Sequence, residues 1–370
     1  MSEPDGRRRG SDRVVDRRGL LKLLALPVAA TPLAALLVAG REDDDAVPNW
    51  LEYAASPRVR WVTEERYGAP PGVGDGRVYV GDPEGVVHAL ATADGSERWT
   101  VDTGLGREGS VLAAPTVAGD TVYVAARNGT LLALDPGGAE RWGVETGGQV
   151  ALAPVVSDDT VYVASGRTLL ALDRSDGAER WRFDTGRDIA LTGPPAVADG
   201  TVYVGSDETL SALSAADGTE RWTRRSRGGL SSGPTVTGGT VYVGRGSDVH
   251  ALSAADGTER WVTEDVSATE RPAVADGRVY VTSLGGPLVA LNAADGRVEW
   301  RFDAAEAMWT PPVVADGTVY VGAGDTDRVH AVDGADGSER WSFPAVGTPV
   351  VADGTVYVDA KTALFALRTD

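Results

Sequence analysis

The triplet Val-Tyr-Val begins at positions 78, 122, 161, 202, 241, 279, 319 and 356, at intervals of 37 to 44 residues. A period near 40 that fills most of a chain implies a ring or stack of small units, each unable to bury its apolar face alone. Two other markers keep step with it. An alanine followed by Leu or Val stands at Ala89, Ala133, Ala171, Ala212, Ala251, Ala290, Ala331 and Ala366, and a tryptophan at Trp61, Trp99, Trp142, Trp181, Trp222, Trp261, Trp300 and Trp341. All three markers count eight copies.

Each copy reads as four short strands. In the fourth they are PPAVA (194–198), TVYVG (201–205), TLSAL (209–213) and ERWT (220–223). Val, Tyr and Thr suit a pleated, half-buried surface, and Asp-Gly pairs separate strand one from two and strand three from four. Both connections are expected to be tight type I′ hairpins, all on one face. The connections on the other face vary in length and charge. The fold expected is therefore all-β: an eight-bladed β-propeller of four-stranded antiparallel blades. Trp61 precedes the first Val-Tyr-Val, whereas nothing after Leu367 supplies a tryptophan strand. Residues 58–63 must then complete the last blade by pairing with residues 364–367, which removes the open edges of the sheet.

The chain of 370 residues carries 54 acidic and 35 basic side chains, a net charge of −19, and only Lys22 and Lys361 are lysine. Hydrated carboxylates keep a protein soluble when salt screens ordinary repulsion, so a salt-adapted, haloarchaeal type of protein is expected. Nucleic acid is not an expected partner, because phosphate tracking needs clustered cations on a positive face. The absence of cysteine excludes disulfides, thiolate chemistry and Cys-based metal sites.

Residues 1–40 read as an address. Arg7, Arg8, Arg9, Arg13, Arg17 and Arg18 precede eighteen uncharged residues, 23–40, which Arg41 and the acids 42–45 follow. The string DRRGLLK, 16–22, resembles a twin-arginine export signal. Arg41 stands where a lipidated cysteine would be needed, so lipid anchoring is excluded. The eighteen residues would span about 27 Å as a helix, so the segment is either a cleaved signal or a membrane anchor. Residues 41–57 read as an acidic linker and 58–370 as the propeller. The expected location is extracellular, or anchored on the outer side of the cytoplasmic membrane.

The windows ALDRSDGAERW (171–181), ALSAADGTERW (212–222) and ALNAADGRVEW (290–300) resemble the PQQ-like propeller repeat. The motif of that family is AxDxxTGxxxW, whose tryptophan docks between neighbouring blades. Here Asp replaces Thr before the glycine, and the second copy, 133–142, is one residue short. The resemblance implies structural docking roles for the eight tryptophans. The family includes quinoprotein alcohol dehydrogenases, which bind pyrroloquinoline quinone (PQQ) and calcium, and non-catalytic members such as the accessory lipoprotein of the outer-membrane barrel-assembly machinery. Its enzymes are longer, with paired cysteines and acidic ligands on long insertions, and none of these is present. The resemblance thus implies the non-catalytic branch, with no cofactor and no catalytic residue.

Candidate binding residues fall in the variable connections. Trp309, with Glu306 and Met308, is an aromatic candidate near the channel mouth. Arg221, Arg224, Arg225 and Arg227 form the one dense basic run, and other connections offer Arg107, Gln149, Arg187, Asp188, Glu264, Asp265, Glu270 and Arg271. His88, His250 and His330 all sit one residue before the repeat alanine, in blades one, five and seven. At about 4.8 Å per strand they lie too far apart to converge, so no metal site is expected from them. The function expected is an exported, monomeric interaction scaffold for a protein or envelope component, touching membrane only through its N-terminal segment. The alternative is a small-ligand binder or an enzyme with its site at the channel mouth.

Overall fold

A computed structural model describes residues 53–370 except 64, 66, 104–109, 112, 187–190, 226–227, 283–284, 305–307, 309, 325–326, 346 and 361–362. The expected signal (1–40) and most of the expected linker (41–57) lie outside the described residues. Within the described part of the expected linker, the Tyr53 ring meets Phe343 edge-on at 6.1 Å. Among the described residues no helix is long and apolar enough to cross a membrane.

Thirty-two strands form eight four-stranded antiparallel sheets, as the repeat count requires. Blade 1 contains β2 (Gly72–Gly74), β3 (Arg77–Gly81), β4 (Val86–Ala91) and β5 (Glu97–Asp102), ordered from the axis outward. The outer strand of the last blade is β1 (Val59–Thr63), which pairs with Ala363–Arg368 in the register Trp61↔Ala366, Val62↔Phe365, Thr63↔Leu364. The ring closes as the order of tryptophans predicted.

The repeated residues are the fastenings. In every blade the tyrosine of Val-Tyr-Val is buried and its ring lies 5.8 to 5.9 Å from the tryptophan of its own outer strand. Each tryptophan Nε1 donates to a backbone carbonyl of the following blade, as Trp181 does to Ala215 O at 2.9 Å and Trp61 to Thr92 O at 2.8 Å. All eight tryptophan indoles make such a bond to the blade that follows their own. The core is correspondingly divided into eight apolar layers, each between two blades.

The two turn classes differ from each other. Between strands one and two the hairpin is tight, and Asp199-Gly200 has φ of 49° and 67°, the double positive of a type I′ turn. Between strands three and four only the glycine is positive, as at Gly177 (φ 75°), so the expectation of a second type I′ hairpin is corrected. There Gly177 N donates to Asp173 O and Asp173 N to Ala178 O, closing a longer loop. A β-bulge beside the repeat alanine occurs in all eight blades, including the last, where β1 replaces the looped-back strand. The bulge turns the residue before each tryptophan toward the first hairpin: Arg221 donates to Thr201 Oγ1 and Gly200 O, and Arg260 to Thr240 Oγ1 and Gly239 O. Blade 6 keeps the contact with charges reversed, through Arg278 and Glu299 at 2.6 Å.

Candidate functional site

The two faces of the ring are built differently. On the hairpin face the first turn contains two residues in every blade. On the opposite face the connections between blades contain 5 to 13 residues, and those between strands two and three contain 2 to 6. Loops that vary on a constant scaffold are where recognition resides.

Each inter-blade connection ends at a proline just before the inner strand: Pro71, Pro115, Pro154, Pro195, Pro234, Pro272, Pro312 and Pro349. Proline suits the first residue of a strand whose neighbours supply no ladder partner for its nitrogen. The residues one step earlier hold equivalent positions at the start of each innermost strand, on the variable face: Pro70, Ala114, Ala153, Pro194, Gly233, Arg271, Pro311 and Thr348. Arg271 is the one charged member. Its Nε donates to Thr235 Oγ1 at 3.2 Å, and no carboxylate of the described residues pairs with it. Burial pushes its pKa down, and burial likewise pushes the carboxyl of the adjacent Glu270 up. A guanidinium steered by one bond, with its terminal nitrogens unpaired, presents a fork to an anionic group.

The structure redistributes the other candidates. Gln149 and Glu264 are exposed in variable-face connections, and Arg225 is exposed at the end of its strand. Arg224 does not belong to that face. The outer strand runs through Arg225, and alternation sets Arg224 on the side of Trp222, facing the next blade. Its Nε and an Nη donate to Gly257 O and Asp256 O of the neighbouring turn, both at 3.0 Å. Met308 is fully buried in the core beside blade 7. Arg107, Arg187, Asp188, Arg227, Glu306 and Trp309 lie outside the described residues.

The three histidines occupy separate inter-blade seams and do not converge. Each places Nδ1 against the first glutamate of its outer strand: Glu97 at 3.3 Å, Glu259 at 3.0 Å and Glu339 at 2.9 Å. Arg245 lies 3.3 Å from His250 Nδ1, and burial, then this guanidinium, push the His250 pKa down against the pull of Glu259 and Asp248. The fold therefore favours the neutral ring. Its contribution to stability is complete above the unfolded value of about 6.5 and is lost as pH falls from there through the folded value. The His250→Gln variant is expected to lose less stability than the native chain between about pH 7 and 5. Urea midpoints measured across that range check this, and parallel losses would refute it.

Quinone chemistry needs carboxylate ligands for its calcium and flat surfaces about the ring system. None of the eight equivalent residues at the start of the innermost strands is acidic or aromatic.

Comparison with known proteins agrees with the geometry. The family described as outer membrane protein assembly factor BamB matches residues 53–137, 127–264, 206–309 and 304–369. No curated protein matches the sequence. Among solved structures the chain is similar to BamB from Moraxella catarrhalis, with TM-score 0.72 and 21% identity over 84% of this chain and 99% of that one. A computationally designed protein, Ika8, gives TM-score 0.70 and 16% identity over 83% and 97%. Quinohemoprotein alcohol dehydrogenase ADHIIG from Pseudomonas putida HK5 gives 0.68 and 15% over 84% and 76%. At these identities the structures establish the fold.

Proposed function

Because the chain belongs to the family of the outer membrane protein assembly factor BamB, we propose that it is a non-catalytic interaction scaffold presenting its variable face to a protein partner in the cell envelope. The observation that carries this reading is the asymmetry of the ring. One face repeats the same turns, while the other changes in length and chemistry from blade to blade around a lone guanidinium. Hairpins that merely hold blades together can be identical, whereas a specific partner needs different side chains at different positions. Export by the twin-arginine route, an extracytoplasmic location and adaptation to high salt complete the proposal. They rest on the paired arginines before an uncharged segment and on the acidic excess.

The reading is tested with photo-crosslinking residues at Gln149 and Glu264 on the variable face, and at Asp176 and Asp256 on the hairpin face, in cells at native salt. The same protein is expected from both variable-face positions and from neither hairpin position. An Arg271→Ala change is expected to reduce its recovery roughly tenfold, as for loss of a charge-assisted bond, with the melting temperature unchanged. Equal crosslinking from both faces would overturn the assignment. So would no protein adduct together with thermal stabilisation by a small molecule.

A further inference from the structure

The seam that closes the ring differs from the other seams that contain a histidine. His88, on β4, is largely buried and has its Nε2 3.3 Å from Asp82 Oδ2. Asp82 is itself held by the backbone N–H of Val86, which donates to Oδ1 at 2.7 Å. With a cation at Nδ1, the ring hydrogen would sit on Nε2 and be donated to Asp82, because a carboxylate only accepts. Nδ1 faces two further carboxylates, Glu97 Oε2 at 3.3 Å and Glu65 Oε2 at 3.6 Å. Three carboxylates gathered around one imidazole concentrate negative charge that a cation would offset.

Blade 5 shows the contrast. There Arg245 stands beside the same histidine nitrogen and one glutamate. Around His88 no arginine or lysine of the described residues takes that place, while the acids number three. The positions are also prepared from behind. Tyr67 donates to Glu65 Oε2 at 3.0 Å and meets the imidazole edge-on at 5.4 Å. A carboxylate behind a histidine, and a hydrogen bond behind a carboxylate, are the supports that orient metal ligands.

We propose that Glu65, His88 and Glu97 bind one divalent transition-metal ion of the zinc type, which clasps the closing strand to the first blade. Their three ligand atoms lie within 4.8 Å of one another. Tetrahedral zinc with bonds of about 2.0 to 2.1 Å separates its ligands by about 3.3 Å, close to the two contacts at Nδ1. One nitrogen and two carboxylate oxygens suit zinc, whereas calcium takes six to eight oxygens. Both glutamates are about half exposed, which leaves room for water to complete the coordination. Glu65 stands two residues beyond the end of β1, while His88 and Glu97 belong to blade 1, so the ion would join the two ends of the ring.

The test uses the full chain stripped with a chelator and titrated with zinc, manganese or calcium chloride, followed by calorimetry and thermal melting. One zinc is expected per chain, at least tenfold tighter than calcium. At a hundredfold excess over Kd, zinc should raise the melting temperature by roughly 5 °C. Glu65→Gln, at an exposed position that leaves folding intact, should weaken zinc at least about tenfold, and His88→Gln should do the same. His250→Gln should have no effect. Zinc should also slow amide exchange in residues 59–63. No zinc binding, equal affinity for calcium, unchanged affinity in Glu65→Gln, or protection confined to other blades would each overturn the proposal.

Discussion

Deletion of residues 58–66 is expected to open the ring, lowering the melting temperature by roughly 10 °C or more and enlarging the hydrodynamic radius. β1 is the whole outer strand of the last blade, and it brings Val59 and Trp61 into the core with relative exposures of 4% and 6%. Full burial of such side chains contributes about 1.5 to 3 kcal/mol each. Trp61 also packs on Tyr357 at 5.8 Å and donates to blade 1, so its loss unfastens both sides of the seam. Arg58 has a further part. The last blade lacks the turn that would cover Trp341, and the Arg58 guanidinium fills that place 4.3 Å from the ring centroid. Deletion leaves residues 363–368 as an uncovered edge, which invites association. Differential scanning calorimetry and light scattering check the result; an unchanged melting temperature with an unchanged radius would refute it.

The parts of this fold legible in the sequence are those that every blade repeats. Val-Tyr-Val, the alanine and the tryptophan recur because each makes the same contact eight times, and Trp61 standing before the first triplet disclosed the closure. What the sequence concealed depends on direction within one blade. Arg224 sits in an apparent basic loop, yet the strand continues through it and its side chain follows Trp222 toward the next blade. The bulge beside each alanine carries no compositional signal, so the second Asp-Gly connection looked like the first. The carboxylates around His88 were missed for another reason. The histidine pattern alone does not point to them, because Glu65 arrives from the segment after the ring-closing strand and Glu97 from the next strand along. The signal is the meeting of acids with a histidine across the seam that Trp61 marks. Arg271 was visible as one charge among many; only the ring of eight equivalent positions sets it apart.

The Gly177→Ala substitution is expected to cost about 2 to 4 kcal/mol, against about 1 kcal/mol for Gly166→Ala in the same blade. Both glycines have positive φ, 75° and 58°, so alanine meets the same kind of backbone penalty at each. Their surroundings separate them. A Cβ at Gly166 would meet nothing within 4 Å, whereas one at Gly177 would lie 2.6 Å from Cε3 of Trp142. Trp142 cannot simply retreat, because its Nε1 donates to Arg174 O and its ring packs on Tyr123. Displacing it would loosen the junction of blades 2 and 3, and the same glycine-under-tryptophan contact recurs at Gly95, Gly138, Gly218, Gly257, Gly296 and Gly337. Urea midpoints of the two variants decide the point. Equal losses would mean that the glycine is kept for its backbone alone. The larger loss at Gly177 would mean that it is kept so that the tryptophan of one blade can lie flat on the turn of the next, the contact by which eight small sheets become one ring.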